Sequence, residues 1–281
     1  MRTECYFCHI KTVESLIAKH KPKTIDAEAF MDDINTLLGP KNNLSNPQLA
    51  TLIHRKASVK LNIENLYKSE KESANELLLT RYDALKSLVQ KSANPLKTAI
   101  KLAVAGNIID YGAHSVGDDI EQQILTLLKK ELVIDQSDAL IEAISKAKSI
   151  LYLGDNAGEI VCDKLLIEIL NHKNLRFAVR GKPVINDVTR EDAKAVGLDK
   201  LCKIIDNGYD APSTLLEHCS VEFQEAFEHA DLIIAKGQGN FEGLMNHKNK
   251  TIYFLLMAKC VPIAEMLNVN PLDMIVTTLN A

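Results

Sequence analysis

Apolar and polar positions change their rhythm part-way along the chain. In the first part, apolar residues recur at spacings of three and four, as in Ala74, Leu77, Leu78, Leu85 and Leu88 and again in Ile120, Ile124, Leu127, Leu128 and Leu132. That spacing lines one face of a helix. Gly39-Pro40, Asn46-Pro47 and Asn94-Pro95 punctuate the stretch and divide it into separate helices. From Ser149 onward the signal becomes short apolar runs: Ile150 to Leu153, Arg176 to Val179, Lys203 to Ile205, Leu232 to Ala235, Thr251 to Leu256 and Met274 to Thr278. Runs of this kind, without alternation, suit strands buried on both faces of a parallel sheet. The pattern predicts an α/β protein: an all-helical N-terminal region over residues 1–146, then a three-layer α/β/α parallel sheet over residues 147–281. Asp135-Gln136-Ser137-Asp138 is expected to open the last helix before the sheet.

Composition narrows the partners. With 281 residues, 46% of them hydrophobic and 25% charged, the chain can bury a sizeable core as one large domain or two smaller ones. A formal net charge of -4, with Lys and Arg scattered among acids, leaves no basic footprint for nucleic acid. No apolar run approaches the roughly 18 to 20 residues that span a bilayer, and Met1-Arg2-Thr3-Glu4 does not begin a signal peptide, so a cytoplasmic protein without a membrane partner is expected. Six cysteines in such a chain are expected to be reduced. Only Cys5 and Cys8 have a meaningful spacing. They form either half of a zinc site or redox pair, with His9 adjacent, or two small residues packed at a helix start.

In open parallel sheets the ligand lies beyond the carboxyl ends of the strands, so the residues just after each run carry the chemistry. After the first run come Asp155 and Asn156, followed by a helix whose N–H groups are expected to point at the same spot. After the second come Arg180-Gly181-Lys182-Pro183 and then Asn186-Asp187; after the fourth, Lys236 to Glu242; after the fifth, Lys259. Asp155, Asn156 and Asp187 offer the oxygen ligands that hard cations prefer, and Arg180, Lys182, Lys236 and Lys259 offer partners for a phosphate. Each has a plainer alternative. Asp155 could only cap a helix, Asn156 could only favour the turn, and the lysines could be solvated. Thr189 and Asp192 have the spacing of a capping arrangement, which leaves Asp187 just upstream for other work.

Four segments together resemble one family: Gly154-Asp155-Asn156-Ala157-Gly158-Glu159, Arg180 through Thr189, Lys236 through Glu242, and Gly106-Asn107-Ile108-Ile109-Asp110-Tyr111-Gly112. They resemble, in the same order and across nearly the whole chain, the DUF89 family of metal-dependent damage-control phosphatases, related to the protein named acidic residue methyltransferase 1. Cys5 and Cys8 resemble its compact prokaryotic branch. The resemblance implies a helical region beside a Rossmann-like domain, a divalent metal held by Asp155, Asn156 and Asp187, and a phosphate-contacting lysine at Lys259. It further implies roles at the substrate for Asn107 and Asp110, whose spacing puts both on one face of a helix, although a helix-end network joining the two halves is the alternative. For Glu159 and Lys236, substrate contact and structural support both stay open.

The chemistry implied is hydrolysis of a phosphomonoester of a small phosphorylated metabolite, with Mn, Mg, Co or Ni as the cation. No Ser-His-Asp, Cys-His or Asp-x-Asp signature supplies a clear covalent nucleophile, which favours direct attack by water over a phosphorylated Asp155. Two other readings remain. The Gly154 to Gly158 spacing also suits an S-adenosylmethionine-dependent carboxyl methyltransferase, and the Cys5–Cys8 pair suits a non-catalytic zinc-binding interaction module.

Overall fold

The computed structural model describes residues 2–22, 24–39, 43–108 and 120–279. In chain order its elements are α1 (Thr3–His20), α2 (Thr24–Leu37), α3 (Asn46–Leu61), α4 (Lys68–Thr80), α5 (Tyr82–Gln90), α6 (Pro95–Ala105), α7 (Ile120–Lys129), β1 (Ile134–Asp135), α8 (Ser137–Lys146), β2 (Ile150–Leu153) and α9 (Glu159–Leu170). There follow β3 (Leu175–Val179), α10 (Arg190–Ala195), β4 (Lys203–Asp206), α11 (Val221–Glu228), β5 (Leu232–Lys236), α12 (Gly237–Leu244), β6 (Ile252–Met257), α13 (Val261–Leu267) and β7 (Met274–Thr278). The expected breaks at Asn46-Pro47 and Asn94-Pro95 are helix starts: Ser45 and Asn94 cap α3 and α6 through their side chains, with Pro in the first turn of each. The expected cap at Thr189 is also present, as a reciprocal pair with Asp192.

The seven strands form one sheet in the order β1-β7-β6-β5-β2-β3-β4. Every apolar run became a strand, and alternate residues of each enter different cores. Tyr152, Phe177, Ile234 and Leu255 face one side with α4 to α9, while Leu153, Ala178, Ile233 and Phe254 face the other with α11 to α13. Both faces are covered, which is why the runs carry no alternation. A third core lies among α1, α2 and α3, around Val13, Leu16, Phe30, Ile34 and Ile53. Among the described residues no helix is long and apolar enough to cross a membrane.

Two features differ from expectation. The sheet is mixed: β7 pairs antiparallel with β6, from Met257 opposite Met274 to Tyr253 opposite Thr278. The seven-residue α13 is too short to carry the chain back down the sheet, and after its left-handed cap at Asn268 the chain is still at the edge it left. Leu272 and Ala258 hydrogen-bond there, so β7 must run back beside β6. The first region is not wholly helical either. Ile134 and Asp135 form β1 beside β7, a strand of two residues with no run for a pattern to reveal. Asp135 ends that strand, and its carboxylate accepts the Ser137 N–H at 3.0 Å at the start of α8.

Polar contacts also tie α4 to the sheet layer. The buried Lys71 ammonium lies 2.6 Å from Asp192 Oδ2, and Asn75 donates to Asp192 Oδ1 at 3.1 Å. Removing one partner of a buried ion pair strands the other, so Lys71→Met is expected to lower stability by about 3 kcal/mol. Urea denaturation checks this; an unchanged midpoint would count against the pair.

Candidate active site

From β2 the chain winds outward through β3 to β4, then crosses back to β5 on the other side of β2 and continues to β6. The loops after β2 and β5 therefore diverge and open a crevice at the carboxyl ends of the strands. Asp155 and Asn156 follow β2, and the loop after β3 comes back to meet them. Ala157 N–H donates to Asn186 O at 2.8 Å and Val188 N–H donates to Asp155 O at 2.8 Å, which makes Asn156 and Asp187 an isolated antiparallel bridge. In this bonding pattern the two facing residues form the close pair, with Cα atoms about 4.5 Å apart and side chains on one face.

The side chains converge. Arg180 Nε donates to Asp187 Oδ1 at 2.6 Å and Nη1 to Asn240 Oδ1 at 3.1 Å. Its Nη2 lies 3.8 Å from Asp155 Oδ1 and, although buried, has no hydrogen-bond acceptor among the described residues. Asp155 Oδ2 accepts from Asn156 Nδ2 at 2.7 Å and from Asn107 Nδ2 at 3.0 Å. Both amides also donate to Glu159 Oε2, at 3.2 Å from Asn156 and 2.8 Å from Asn107.

Beneath these groups lies Lys236, fully buried. Its ammonium pairs with Glu159 Oε1, with Asp163 Oδ1 at 2.6 Å and with the Ala103 carbonyl at 2.9 Å, and Tyr152 donates its hydroxyl to Asp163 at 2.7 Å. Burial alone would lower Lys236, but Asp163 and Glu159 hold it above its ordinary value. Burial lifts Asp163 to about 6 even with that ammonium beside it. Asp155 rises further, to about 8, first because it is buried and then because Glu159 and Asp187 repel its charge, with Lys259 and Arg180 acting in the opposite sense.

The sequence profile of the Damage-control phosphatase ARMT1-like domain matches residues 1–275. The chain belongs to this family. It is 38% identical over 239 residues to a protein of Archaeoglobus fulgidus named damage-control phosphatase, covering 82% of this chain and 81% of that one. A damage-control phosphatase of Pyrococcus horikoshii is 45% identical over 174 residues, 61% of each chain, and an uncharacterized protein of Methanocaldococcus jannaschii is 40% identical over 231 residues, 79% of this chain and 76% of that one. The crystal structure of a DUF89 family protein from P. horikoshii superposes with a TM-score of 0.90 at 32% identity, covering 99% of this chain and 98% of that one.

Within this damage-control phosphatase domain, Asp155, Asn156, Asp187, Arg180, Asn107 and Glu159 stand together as the sequence motifs suggest. Lys259 is half-buried, close enough for its charge to act on Asp155, with its N–H on Gln238 Oε1 at 2.9 Å. Lys236 directs all three ammonium protons into the protein. Lys182 is exposed and lines two cavities of about 380 and 650 Å³ between its loop and the helices α3 and α4, the larger of which Arg180 also lines. Asn107 lies on a short 3-10 turn after α6 and not on an α-helix, and its expected companion Asp110 falls outside the described residues.

One expectation needs correction. Four of the N–H groups at the opening of α9 are engaged within the protein: Ala157 bonds Asn186, Gly158 bonds Asn75 Oδ1 at 2.7 Å, and Ile160 and Val161 bond carbonyls of their own turn. The start of α12 instead lies against the Asp155 carboxylate at Gly237. Sequence reasoning also missed Asp163, Asn240, Thr214 and Asn75. Asp163 had a signal: it lies four residues after Glu159 on an otherwise apolar stretch, and two acids on a buried helix face require a cation. Thr214 and Asn75 arrive from distant segments and had none. Cys5 and Cys8 lie on α1 and are not joined by a disulfide.

Gly237 is the tightest point of the site. Its φ is +73°, and a Cβ there would lie 1.8 Å from Asp155 Oδ2. Gly237→Ala would adopt a disfavoured backbone and displace the carboxylate. The expected result is a stability loss of about 1–3 kcal/mol and at least a roughly 100-fold fall in phosphate release, read by urea denaturation and a turnover assay. Near-parental turnover would show that the carboxylate position is not critical.

Proposed function

We propose that this chain is a metal-dependent phosphatase that hydrolyses phosphomonoesters of small phosphorylated metabolites by direct attack of water. The observation that carries this reading is the close pairing of Asn156 with Asp187 beside Asp155, facing an Arg180 nitrogen that has no acceptor among the described residues. Relatives named damage-control phosphatase support it.

The residues present fit a divalent cation. Asp155 and Asn156 each have one terminal atom engaged by the protein, which leaves Asp155 Oδ1 and Asn156 Oδ1 to serve as ligands together with Asp187. The repulsion that lifts Asp155 is the kind that a bound cation relieves. Such an oxygen set accepts Mg, Mn, Co or Ni. When bound, the ion would draw electron density from a phosphoryl oxygen and make water a better nucleophile at neutral pH.

The chain's own residues supply the rest. Arg180 Nη2 donates to a phosphoryl oxygen, and Lys259 neutralises charge that grows on the equatorial oxygens. A carboxylate oxygen of Asp155 or Asp187 orients the attacking water. Asp155, held by two amides on Oδ2, is a rigid ligand in this scheme and not a phosphoryl acceptor.

Asp155→Ala and Asp187→Ala are each expected to abolish turnover and metal binding while the circular dichroism spectrum stays parental. Full activity after chelator treatment would overturn the metal. Burial and the charges of Glu159 and Asp187 push Asp155 up to about 8, which favours its neutral acid below that pH. Cation binding needs the carboxylate, so affinity should climb up to tenfold per pH unit from about pH 6 to about pH 8 and then level off. Titration calorimetry across that range checks the sign; affinity that falls with pH contradicts it.

Lys259→Met tests the phosphate contact separately. A charge-assisted contact in a water-poor site is worth about 2 to 4 kcal/mol, so kcat/KM should fall roughly 30-fold to 1000-fold with the metal still bound. If the variant hydrolyses its best substrate as well as the parent does, the phosphate is held by other cations such as Arg180.

A further inference from the structure

An asparagine that ligates a hard cation must present its oxygen, yet the oxygen and nitrogen ends of its amide are nearly the same size and shape. Something must choose the end. Around Asn156 the choice is made by two carboxylate oxygens that can only accept. Asn156 Nδ2 donates to Asp155 Oδ2 at 2.7 Å and to Glu159 Oε2 at 3.2 Å, and Asn107 Nδ2 donates to the same two oxygens at 3.0 and 2.8 Å. Two NH2 groups and two carboxylate oxygens thus close a ring. With its nitrogen in that ring, Asn156 turns Oδ1 away from it, and among the described residues no donor reaches that oxygen. Asp155 Oδ2 is likewise committed to the ring, which leaves Oδ1 on the Arg180 side.

Glu159 can hold this position because its other oxygen is anchored. Oε1 pairs with the Lys236 ammonium, whose remaining protons go to Asp163 Oδ1 at 2.6 Å and Ala103 O at 2.9 Å. Glu159, Lys236 and Asp163 have relative exposures of 0%, 0% and 1%, so neither water nor substrate reaches them. We propose that Glu159, anchored by Lys236, is a positioning residue that sets the orientation of the Asn156 amide so that its oxygen meets the cation. This rests on the reading of Asp155, Asn156 and Asp187 as the metal ligands.

The test exchanges the acid and the amide. In Glu159→Gln an amide NH2 can face the two asparagine NH2 groups, and Asn156 is released to turn its nitrogen toward the cation. Mn2+ binding, measured by titration calorimetry on the metal-stripped protein without substrate, should weaken about 10-fold to 100-fold. Combining Glu159→Gln with Asn156→Asp restores an acid opposite an amide, and the new carboxylate presents oxygen whichever way it turns. The double variant should therefore bind Mn2+ within a few-fold of the parent, a rescue that general loosening of the fold would not give. Equal binding by parent and Glu159→Gln overturns the proposal, as does a double variant as weak as the single one. A parent that binds no Mn2+ overturns the ligand reading itself. If Glu159→Gln does not fold, nuclear magnetic resonance on the parent decides. The Asn156 side-chain NH2 should exchange slowly with solvent in the metal-free protein, and its Cγ resonance should shift on addition of Mg2+. Rapid exchange or an unmoved Cγ resonance overturns the proposal.

Discussion

The site depends on keeping four acids in a place nearly without water. Asp155, Asp187, Glu159 and Asp163 are all buried at the carboxyl ends of β2 and β5 or just beneath them. Removing an ionised group from water costs several kcal/mol unless partners replace the lost hydration. The partners are unevenly shared. Lys236 lies between Glu159 and Asp163, Arg180 takes Asp187 at close range, and Asp155 receives hydrogen bonds from amides with the Arg180 guanidinium 3.8 Å away. One ammonium thus meets two carboxylates in the floor and one guanidinium meets two at the mouth, and Asp155, which has no close ion pair of its own, is pushed up toward its neutral form. A catalytic cation in the proposed reading completes that balance.

Backbone, more than side-chain length, sets where the leftover charge stands. The crossover between β4 and β5 opens the crevice beside β2, and the short antiparallel bridge after β2 fixes Asn156 against Asp187 without help from either side chain. Gly237 then allows α12 to start directly against the Asp155 carboxylate. Gly154 works in the same way from below, since a Cβ there would lie 2.6 Å from the Phe177 ring. The ligands sit at the ends of strands whose registers are fixed by two cores, so little of their placement is left to loop flexibility.

Much of this was legible in the sequence because buried strands and their ends are local features. Ile150 to Leu153 reads as a strand by itself, and Asp155 follows it by necessity. Direction and pairing were less legible. That β7 runs against β6 depends on how far a seven-residue helix can carry the chain, and β1 has only two residues. At the site, Lys236 was recognisable as a motif residue, but its role is decided by Glu159 and Asp163 on another element, and no local pattern says which side of β5 it faces. Lys182 shows the reverse case: two residues after Arg180 in one motif, it turns outward while Arg180 turns in.

The N-terminal helices enter the argument through strain. Ile185, two residues before Asp187, has φ of +42°, which a β-branched residue adopts at a cost of about 1–3 kcal/mol. Its side chain packs against the core of α1, α2 and α3, and that burial offsets the strain. The path of the loop to Asp187 is thus set by packing with residues far earlier in the chain. The helix α3 holds two more segments around the crevice: Arg55 Nε donates to Asp210 Oδ2 at 2.7 Å, and Asn46 Nδ2 donates to Glu242 Oε2 on α12 at 3.2 Å. The loop carrying Asp187, the loop after β4 and the helix that begins at Gly237 are therefore braced by the first three helices, α3 holding two of them by side-chain hydrogen bonds. A helical region that reads from its sequence as a separate half is, in the fold, part of the scaffold that keeps the acids in register.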